Sequence, residues 1–518
     1  MEKKWWTLIV VCAGTFMLLV DVTIVIVALP SIQSGLHATF SEVQWVVDAY
    51  ALTLASVLLT AGSLADRYGR RLLFSIGLVV FTLGSLLCGV AQSPIMLILS
   101  RSAQGIGGAI LFATSLALLA HSFHGKERGM AFGIWGAVTG VAAGLGPVLG
   151  GVITTAVSWR GIFLVNLPIG VAAVAITRWR VEESKTPYAA RPDWAGFVTL
   201  TAGLVSLVYG LIRAGEIAWN DEGVVICMAL AAGFLAAFIA VELRAKHPLF
   251  DLSLFRIPTF SGGLIAAFSM NGSLYAMLLY LVLYLQDDLG YSALEAGLQL
   301  LILSAVALVA SIFSGVFSER LPVRWLIGPG LFLVGLGLLL MTKLNGDSTW
   351  THLIPGFIVA GAGSGLVNPP LASTAVGVVT PQRSGMASGV NTTFRQIGMA
   401  MGIAVYGSIF ASSLQKKMGQ DLADTPALHE HLPRIVTAVQ QGNVAQLFDT
   451  TPQALREPLA AAIHSSFAST LDILFIVSAC LALVGATCSL TLIRSKDFVA
   501  SHQPPPAPVP ADLAGSAA

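Results

Sequence analysis

The sequence predicts an all-α membrane protein with about fourteen transmembrane helices, and two observations support this. The chain has 518 residues, of which 55% are hydrophobic and 11% are charged, and its mean hydropathy is +0.80. Soluble proteins carry about 25% charged residues, so this chain lacks the charge to cover an aqueous surface. The second observation is a succession of apolar windows of about 20 residues, the length that crosses a hydrocarbon core.

The apolar windows occupy most of the chain. They fall near residues 6–28, 43–63, 73–91, 95–119, 130–155, 161–178, 195–213, 223–242, 260–284, 296–317, 325–342, 353–376, 386–410 and 467–492. The first window follows Lys3 and Lys4, as the core of a signal peptide would. It is longer than the roughly 7–15 residues of such a core, and Asp21 interrupts it. We therefore expect a first spanning helix here.

Lysine and arginine are distributed unequally between the two ends of these helices. An even number of spans places both termini on one side. If that side is the cytoplasm, the short outer loops receive only Arg160, Arg213 and Lys343, and the inner segments receive most of the other basic residues. Cytoplasmic loops carry an excess of basic residues. We therefore expect a multi-pass protein of the cell inner membrane with both termini in the cytoplasm.

Two short patterns recur at nearly equal shifts, which indicates an internal repeat. Gly62, Asp66, Arg67 and Arg71 share their spacing with Gly315, Glu319, Arg320 and Arg324, 253 residues later, and 129–133 recurs as 385–389. Parallel repeats are typical of transporter halves. The predicted domains are six-helix bundles at 1–178 and 259–493, separated by cytoplasmic linkers and two inserted helices at 179–258. The outer loop is predicted at 413–465, and a disordered cytoplasmic tail at 494–518.

Several function classes receive no support from the residues. A net charge of +1 gives no reason to expect nucleic-acid binding. The five cysteines lie inside apolar runs without metal-ligand spacing, and the nine histidines lie in predicted loops or at helix ends. Because no nucleophile, base or metal-ligand constellation is evident, we expect a non-enzymatic protein without a cofactor or metal.

The segment Gly62-Ser-Leu-Ala-Asp66-Arg67-Tyr-Gly69-Arg70-Arg71 resembles the signature of the major facilitator superfamily. With the motifs below, the resemblance covers about residues 8 to 412 and extends to the fourteen-helix drug:proton antiporter family. It implies the major facilitator fold, with two six-helix bundles plus two extra central helices. It also implies that this charge cluster latches the cytoplasmic gate while the protein is outward-open. The expected gating residues are Gly62, Asp66, Arg67, Gly69, Arg70, Arg71, Glu319, Arg320 and Arg324; the alternative is a simple positive-inside anchor.

Asp21 and Arg101 are the first candidates for proton coupling. Asp21 lies in a segment that resembles the first-helix signature of this family, and Arg101 in one that resembles its fourth-helix proton-transfer motif. An acid at mid-helix costs about 2.5–3.5 kcal/mol on insertion scales, so it needs a cavity or a partner. We expect Arg101 to be that partner, directly or through Gln104 and water. Burial favours the neutral acid and the guanidinium favours the carboxylate. A capping carboxylate and a static salt bridge are the alternatives.

Asp48 is the third candidate for proton coupling. It lies in Trp45-Val-Val-Asp48-Ala-Tyr50, at the start of the predicted second helix. It could receive protons from outside or hold a cationic substrate, and a solvated helix-end acid is an equally compatible reading. Tyr50 is expected to line the cavity.

The fifth predicted helix carries a glycine stripe followed by a proline. It resembles the antiporter signature of the family, which implies export rather than import. A four-residue glycine spacing permits tight helix contact, and a proline kinks a helix. A packing role alone is the alternative. The motif residues are Gly140, Gly144, Gly146, Pro147, Gly150 and Gly151.

The second half has no ionisable counterpart of Asp21 or Arg101, so proton handling is expected in the first half. Arg395 is the lone intramembrane charge predicted there. It is expected either to bind an anionic substrate group or to pair with a helix end. The predicted polar points of a mainly apolar substrate cavity are Tyr50, Gln104, Asn166, Asn271, Tyr275, Gln299, Asn368 and Arg395.

These features together predict a proton-coupled multidrug efflux antiporter that exports small, largely apolar or amphipathic compounds by alternating access. One alternative is an exporter of an endogenous metabolite, lipid or siderophore. Another is a passive facilitator or channel, which would give Asp21 and Arg101 no joint role. The expected partners are a small-molecule substrate, protons and the lipid bilayer. A periplasmic adaptor stays open as a further partner, and we expect a monomer.

Overall fold

The structure of the chain is a computed structural model. It describes residues 2–123, 125–185, 192–217, 219–245, 248–318, 320–345, 348–379, 383–423, 425–440 and 444–498. The predicted gating residue Glu319, and the predicted tail beyond residue 498, lie outside this part of the chain.

The described chain folds into fourteen long helices. They are α1 Lys3–Leu36, α2 Phe40–Tyr68, α3 Arg70–Gly89, α4 Pro94–Ser122, α5 Gly125–Ala156, α6 Gly161–Arg180, α7 Trp194–Glu216, α8 Glu222–Glu242, α9 Pro258–Asp288, α10 Ala293–Ser318, α11 Arg324–Leu340, α12 Ile354–Gly377, α13 Ser384–Asp421 and α14 Gln453–Leu492. Twelve of them are long and apolar enough to cross a membrane, and the bent α5 makes thirteen. The apolar α11 has 17 residues, which is at the short end of the roughly 17–25 that span a bilayer. The predicted all-α membrane fold is confirmed.

The helix ends follow from local sequence. Thr39 and Glu42 form a reciprocal capping box at the start of α2, which satisfies two backbone donors that the helix leaves free. Ser93 caps α4 directly before Pro94. Between α2 and α3, Gly69 has a φ of 127°. This conformation is costly for other residues, so glycine permits the chain to reverse within one residue.

Two groups of helices carry most of the packing. α1–α6 pack chiefly on one another, and so do α9–α14. We call the end of the bundle that carries Lys3, Gly69 and Arg494 the basic face, and the other end, with Leu36 and Ala156, the opposite face. The two groups meet where α2 packs against α13 and where α5 packs against α10.

The inserted helices α7 and α8 form a pair on one side of the bundle. α7 packs against both α2 and α13, so it covers the line where the two groups meet. Tyr209 of α7 lies with its ring centroid 6.2 Å from that of Trp45 on α2. On the other group, a Cβ added to Gly215 of α7 would lie 2.6 Å from Cα of Ser408 on α13.

Two helices depart from regular geometry near the centre. In α5, the segments Met130–Ala142 and Gly144–Ala156 meet at 44°. The bend lies one turn before Pro147, where a proline ring clashes with the preceding carbonyl. In α9, a π-helical turn spans Asn271–Tyr275. Such turns are rare and frequently mark functional sites.

The predicted outer loop is shorter than the hydropathy windows indicated. α13 continues to Asp421 and α14 already begins at Gln453. Between them lie three short helices, Pro426–His429, Leu432–Gln440 and Val444–Thr450. The polar and proline residues of this segment therefore lie partly on extensions of the long helices beyond the apolar layer.

Candidate functional site

Asp21 and Arg101 form an ion pair inside the first helix group. Arg101 Nη1 donates to Asp21 Oδ2, and each residue is only 1% exposed. The arginine therefore keeps its charge in a dry environment only because the carboxylate compensates it. The structure thus brings the two predicted residues into direct contact, without a need for a bridging water.

Gln104 connects the two members of the pair. Its amide oxygen accepts from Arg101 Nη1 at 2.7 Å, and its amide nitrogen donates to Asp21 Oδ1 at 2.7 Å. The same nitrogen donates to Ser85 Oγ at 2.8 Å, and Asn166 Nδ2 donates to Ser85 Oγ at 3.2 Å and to Asp21 Oδ1 at 3.4 Å. We call Asp21, Ser85, Arg101, Gln104 and Asn166 the carboxylate network. It draws on α1, α3, α4 and α6.

The second helix completes the surroundings of Arg101. Its Nε donates to the carbonyl oxygen of Val46 at 3.1 Å. The guanidinium carbon lies 4.2 Å from the ring centroid of Tyr50 and 5.9 Å from that of Phe163, distances at which a cation attracts an aromatic face. The Nε and Nη1 atoms of Arg101 and the face of its guanidinium are therefore engaged.

Three residues predicted to bind substrate are inaccessible in this conformation. Tyr50, Gln104 and Asn166 are 2%, 0% and 4% exposed. The two amides instead bond within the carboxylate network. The hydroxyl of Tyr50 has no hydrogen-bond partner among the described residues. A role of the three residues in substrate binding stays a prediction. Ser85 was not predicted; a lone serine in an apolar helix carries no pattern that distinguishes it.

Asp48 is buried in α2, two turns from the start of that helix. The residue is 0% exposed, and neither carboxylate oxygen has a hydrogen-bond partner among the described residues. The reading of Asp48 as a solvated helix-end acid is therefore wrong. An acid without a hydrogen-bond partner is costly to keep in an apolar environment.

The two helix groups are joined near the opposite face by hydrogen bonds. Gln286 Nε2 of α9 donates to the carbonyl oxygen of Val27 of α1 at 2.8 Å. Gln44 Nε2 of α2 donates to Tyr280 Oη of α9 at 3.0 Å and to the carbonyl oxygen of Ile403 of α13 at 3.2 Å. These buried bonds close the passage between the groups at this face.

Towards the basic face, four glycines border open space. A Cβ placed on Gly62 of α2, Gly136 of α5, Gly315 of α10 or Gly385 of α13 would meet nothing within 4 Å. Nearer the centre, the same test on Gly140 finds Leu308 at 3.7 Å, and on Gly389 of α13 it finds Leu59 of α2 at 2.4 Å. The two groups are therefore in contact at Gly140 and Gly389, and we call the space between them on the side of the basic face the cleft.

The contacts that the structure describes for the predicted gating residues lie within their own helix groups. Asp66 Oδ1 accepts from Arg70 Nε at 3.0 Å within its own motif. Arg320 is exposed. Arg324 lies over the ring of Trp325 at 5.3 Å, and Arg67 lies 5.7 Å from the ring of Tyr68. The latch was predicted for the state in which this face is closed, and it stays a prediction.

Glu183, which the sequence did not single out, bonds to the motif instead. Its carboxylate accepts from the backbone N–H of Arg71 at 3.0 Å and of Leu72 at 3.2 Å, and its Oε2 lies 3.8 Å from Arg71 Nε. An acid at a helix N-terminus satisfies free donors and the helix dipole. Glu183 therefore ties the segment after α6 to the start of α3. The only sequence feature that pointed to Glu183 was its position as an acid within a predicted inner segment rich in basic residues.

The antiporter-type motif of α5 contacts two different helices. Gly146 packs against Thr23 of α1, and a Cβ on Gly150 would lie 2.7 Å from the carbonyl oxygen of Ile24. On the other side, a Cβ on Gly151 would lie 2.6 Å from the carbonyl oxygen of Ala293 at the start of α10. Further contacts to α10 include those of Gly140 with Leu308, Gly144 with Ser304 and Pro147 with Gly297. Through α5, the segment next to Asp21 is in close contact with the second group.

In the second group, three predicted residues come together and two do not. Arg395 Nη1 donates to Asn368 Oδ1 at 3.2 Å, and Asn368 Nδ2 donates to Tyr275 Oη at 3.3 Å. Asn271 Nδ2 instead donates to the carbonyl oxygen of Ala267 at 2.9 Å. Gln299 is 7% exposed, and its amide oxygen has no partner in the described chain.

Comparison with known proteins identifies the relatives of the chain. A family model described as Major Facilitator Superfamily matches residues 11–403. The chain is 32% identical to the tetracenomycin C resistance and export protein of Streptomyces glaucescens, with 99% of this chain and 96% of the relative covered. It is 36% identical to the multidrug resistance protein Stp of Mycobacterium tuberculosis, with 85% of this chain and 80% of the relative covered. These relatives agree with the predicted resemblance to drug antiporters.

A solved structure shares the fold. A bacterial homologue of the human lysosomal transporter Spinster, in an inward-facing and unoccupied conformation, matches with a TM-score of 0.62 at 17% identity. The alignment covers 96% of this chain and 99% of that chain. From the family match and the two relatives, we conclude that this multi-pass membrane protein belongs to the Major Facilitator Superfamily and is a transporter.

Proposed function

We propose that the chain is a proton-coupled antiporter that exports small, largely apolar or amphipathic compounds, including drugs, by alternating access. The observation that carries the proposal is the buried Asp21–Arg101 pair, held by the carboxylate network between four helices. An intramembrane acid is expensive to keep, and this one shares its network with a charge that cannot be lost. The names of the two relatives support drug export as the direction and substrate type.

The coupling step is protonation of Asp21. A proton on either oxygen removes the charge that compensates Arg101, and it turns one acceptor oxygen into a donor. Arg101 and Gln104 then lose much of the attraction that holds them to α1. When Asp21 is protonated, α1 is thereby freed to shift relative to α4. When Asp21 is a carboxylate, its bonds to Arg101 and Gln104 favour the conformation described here.

Movement of α1 reaches the second group by direct contact. Thr23 and Ile24, next to Asp21, pack against Gly146 and Gly150 of α5. α5 in turn packs through Gly151 against Ala293 of α10. α1 itself accepts a hydrogen bond at Val27 from Gln286 of α9. Because these contacts are tight, a shift of α1 cannot be absorbed locally, and it biases how the two groups close.

We further propose that the basic face is cytoplasmic and that the membrane is the cell inner membrane. The basic residues at this face support that orientation. We expect the cleft to open to the cytoplasm, so that a compound enters it from there or from the inner leaflet. One proton that crosses the membrane contributes about 2.3 kcal/mol per 100 mV, so one or two protons sustain a substantial gradient. A monomeric state and a periplasmic adaptor are predictions that no contact here addresses.

The test is dye transport in everted membrane vesicles with and without an imposed pH jump, for wild type and Asp21→Asn. We expect wild type to concentrate the dye only with the gradient and Asp21→Asn to lose that dependence. The amide matches the acid in shape but cannot exchange a proton. Gradient-driven transport by Asp21→Asn at the wild-type rate would refute the assignment. Wild-type transport that ignores the gradient would instead indicate a passive facilitator.

A further inference from the structure

Arg395, Asn368 and Tyr275 form a second polar cluster, located in the other helix group. They come from α13, α12 and α9, and Asn368 bonds to both other members. Asn368 is fixed in turn by a hydrogen bond from its Nδ2 to the carbonyl oxygen of Ser364 at 3.1 Å. Tyr275 ends the π-helical turn of α9. The cluster is therefore built on three packed helices and not on a loop.

The charge of Arg395 is uncompensated within the described chain. Its recorded hydrogen bond goes to a neutral amide, whereas Arg101 bonds to a carboxylate. One described acid of this helix group, Asp497, lies at the basic face and accepts from Thr259 Oγ1 at 2.7 Å. The others lie towards the opposite face, and they include Asp287, Asp288, Glu295, Asp421 and Asp472. A guanidinium stays charged in a protein. Because this charge has no acidic partner among the described residues, an anion at the site would be stabilised.

The cluster borders the cleft. Two residues before Arg395, Thr393 Oγ1 donates across the groups to the carbonyl oxygen of Ala55 at 3.1 Å. Three residues after it, Gly398 packs against Phe268 of α9. Arg395 thus lies near the line where the groups meet, and Arg395, Asn368 and Tyr275 each retain partial accessibility.

We propose that Arg395, Asn368 and Tyr275 form a subsite for the acidic group of an amphipathic substrate, such as a carboxylate, sulfonate or phenolate. This proposal rests on the proposed export function and specifies its substrate class. In the first group the charges of Asp21 and Arg101 cancel, so Arg395 gives the cleft a net positive charge. Arg395 would pair with the anion, while Tyr275 Oη would donate to it and Asn368 would hold the guanidinium in place.

The test uses two probes with the same aromatic body. 1-Anilinonaphthalene-8-sulfonate carries a permanent negative charge, and N-phenyl-1-naphthylamine is its neutral counterpart. Binding of both radiolabelled probes is measured in lipid nanodiscs in a buffer of low ionic strength, so that small anions compete little for the site. A hydrogen-bonded charge pair of this kind changes affinity by about tenfold or more. We expect Arg395→Gln to weaken sulfonate binding by about tenfold and to leave neutral-probe binding unchanged, and Arg395→Lys to retain part of the affinity.

The control is Arg383→Gln, which removes one positive charge from the exposed start of the same helix, where Arg383 pairs with Asp251 at 2.7 Å. It should leave both affinities unchanged. If Arg395→Gln weakened the binding of both probes equally, Arg395 would have a structural role. If it bound both probes as tightly as wild type, Arg395 would have no role in binding. Either result overturns the proposal. Binding needs no pH gradient, so it tests the subsite separately from transport. If wild type bound the sulfonate through Arg395 but did not transport it against its concentration gradient, proton-coupled export would be refuted and the subsite would not.

Discussion

Gln104 holds Asp21 and Arg101 at once: it donates to Asp21 Oδ1 at 2.7 Å and accepts from Arg101 Nη1 at 2.7 Å. A change at either residue of the ion pair therefore affects the other through Gln104, whose side chain carries no charge. Protonation of Asp21 leaves Gln104 with a weaker acceptor, and its nitrogen still has Ser85 as a second one. Gln104 is thus placed to keep its bond to Ser85 of α3 while its bond to Asp21 of α1 weakens.

Replacement of Gln104 by Met tests this arrangement. Met has a similar volume but neither donor nor acceptor, so Asp21 Oδ1 loses its shortest amide donor. Hydrogen bonds to charged groups contribute about 1.5–3 kcal/mol. We expect gradient-driven dye transport to fall by roughly tenfold or more, and its dependence on pH to shift. The measurement is the initial rate in everted vesicles over a series of external pH values.

The control for this prediction is Gln299→Met, at an amide whose oxygen has no partner among the described residues. This variant should keep the pH dependence of wild type. If Gln104→Met transported at the wild-type rate with an unchanged pH profile, the bridging role would be wrong.

The glycines of α5 give a second prediction, with a matched pair of variants. In Gly150→Ala the new Cβ would lie 2.7 Å from the carbonyl oxygen of Ile24, whereas in Gly136→Ala it would meet nothing within 4 Å. Overpacking typically costs about 1–3 kcal/mol. We expect Gly150→Ala to lower the thermal unfolding temperature in detergent and to abolish most transport. Gly136→Ala should resemble wild type in both assays. Equal effects of the two substitutions would contradict the contact between α1 and α5.

Hydropathy sufficed to predict the helices because an apolar stretch of spanning length has few other stable forms in a bilayer. It could not predict the π-helical turn at Asn271–Tyr275, since the apolar character of the segment is the same in either hydrogen-bond register. Nor could it fix the ends of α13 and α14. Polar residues beyond the apolar layer stay helical there, and a hydropathy window stops where polarity begins.

The Asp21–Arg101 pair was predictable because a buried guanidinium requires an anion and the sequence offered few. The participation of Ser85 was not, because serine is common in spanning helices. The burial of Asp48 was also missed, since a position eight residues after Phe40 does not reveal which way the side chain points. The gate between Asp66 and the second group depends on the conformational state, and one sequence encodes several such states.

Glu183 carries a third prediction. Glu183→Gln keeps the shape of the side chain but removes the charge that caps α3 and lies 3.8 Å from Arg71 Nε. Loss of such a helix cap costs about 0.5–2 kcal/mol. We expect faster hydrogen exchange at the amides of Arg71 and Leu72, read by mass spectrometry of the corresponding peptide. The adjacent Glu182, which pairs with Lys3 at 2.9 Å, is the control. Glu182→Gln should leave exchange at the start of α3 unchanged, and a similar rise in both variants would refute the cap.

The hydrogen bonds that close the opposite face give the last prediction. Gln286→Leu removes the donor to the carbonyl oxygen of Val27, and Gln44→Leu removes donors to Tyr280 and Ile403. Each loss leaves a buried carbonyl oxygen with one bond fewer, at a cost of about 1–3 kcal/mol. Because these bonds exist only while the two groups are closed at this face, their removal should favour the state that opens there.

The population of that state is measured by the distance between spin labels at Ser34 of α1 and Ser412 of α13, in a background without the native cysteines. Both positions are exposed and belong to different helix groups. We expect a longer-distance population to grow in each variant and to grow further in the double variant. Gln33 is a useful contrast, because its bond goes to the carbonyl oxygen of Gln440 in the segment between α13 and α14. Gln33→Leu should change the distances less, since that segment does not form the seam between α1 and α9. If Gln286→Leu, Gln44→Leu and their double variant all kept the wild-type distance distribution, the closure of this face would depend on apolar packing and not on Gln286 and Gln44.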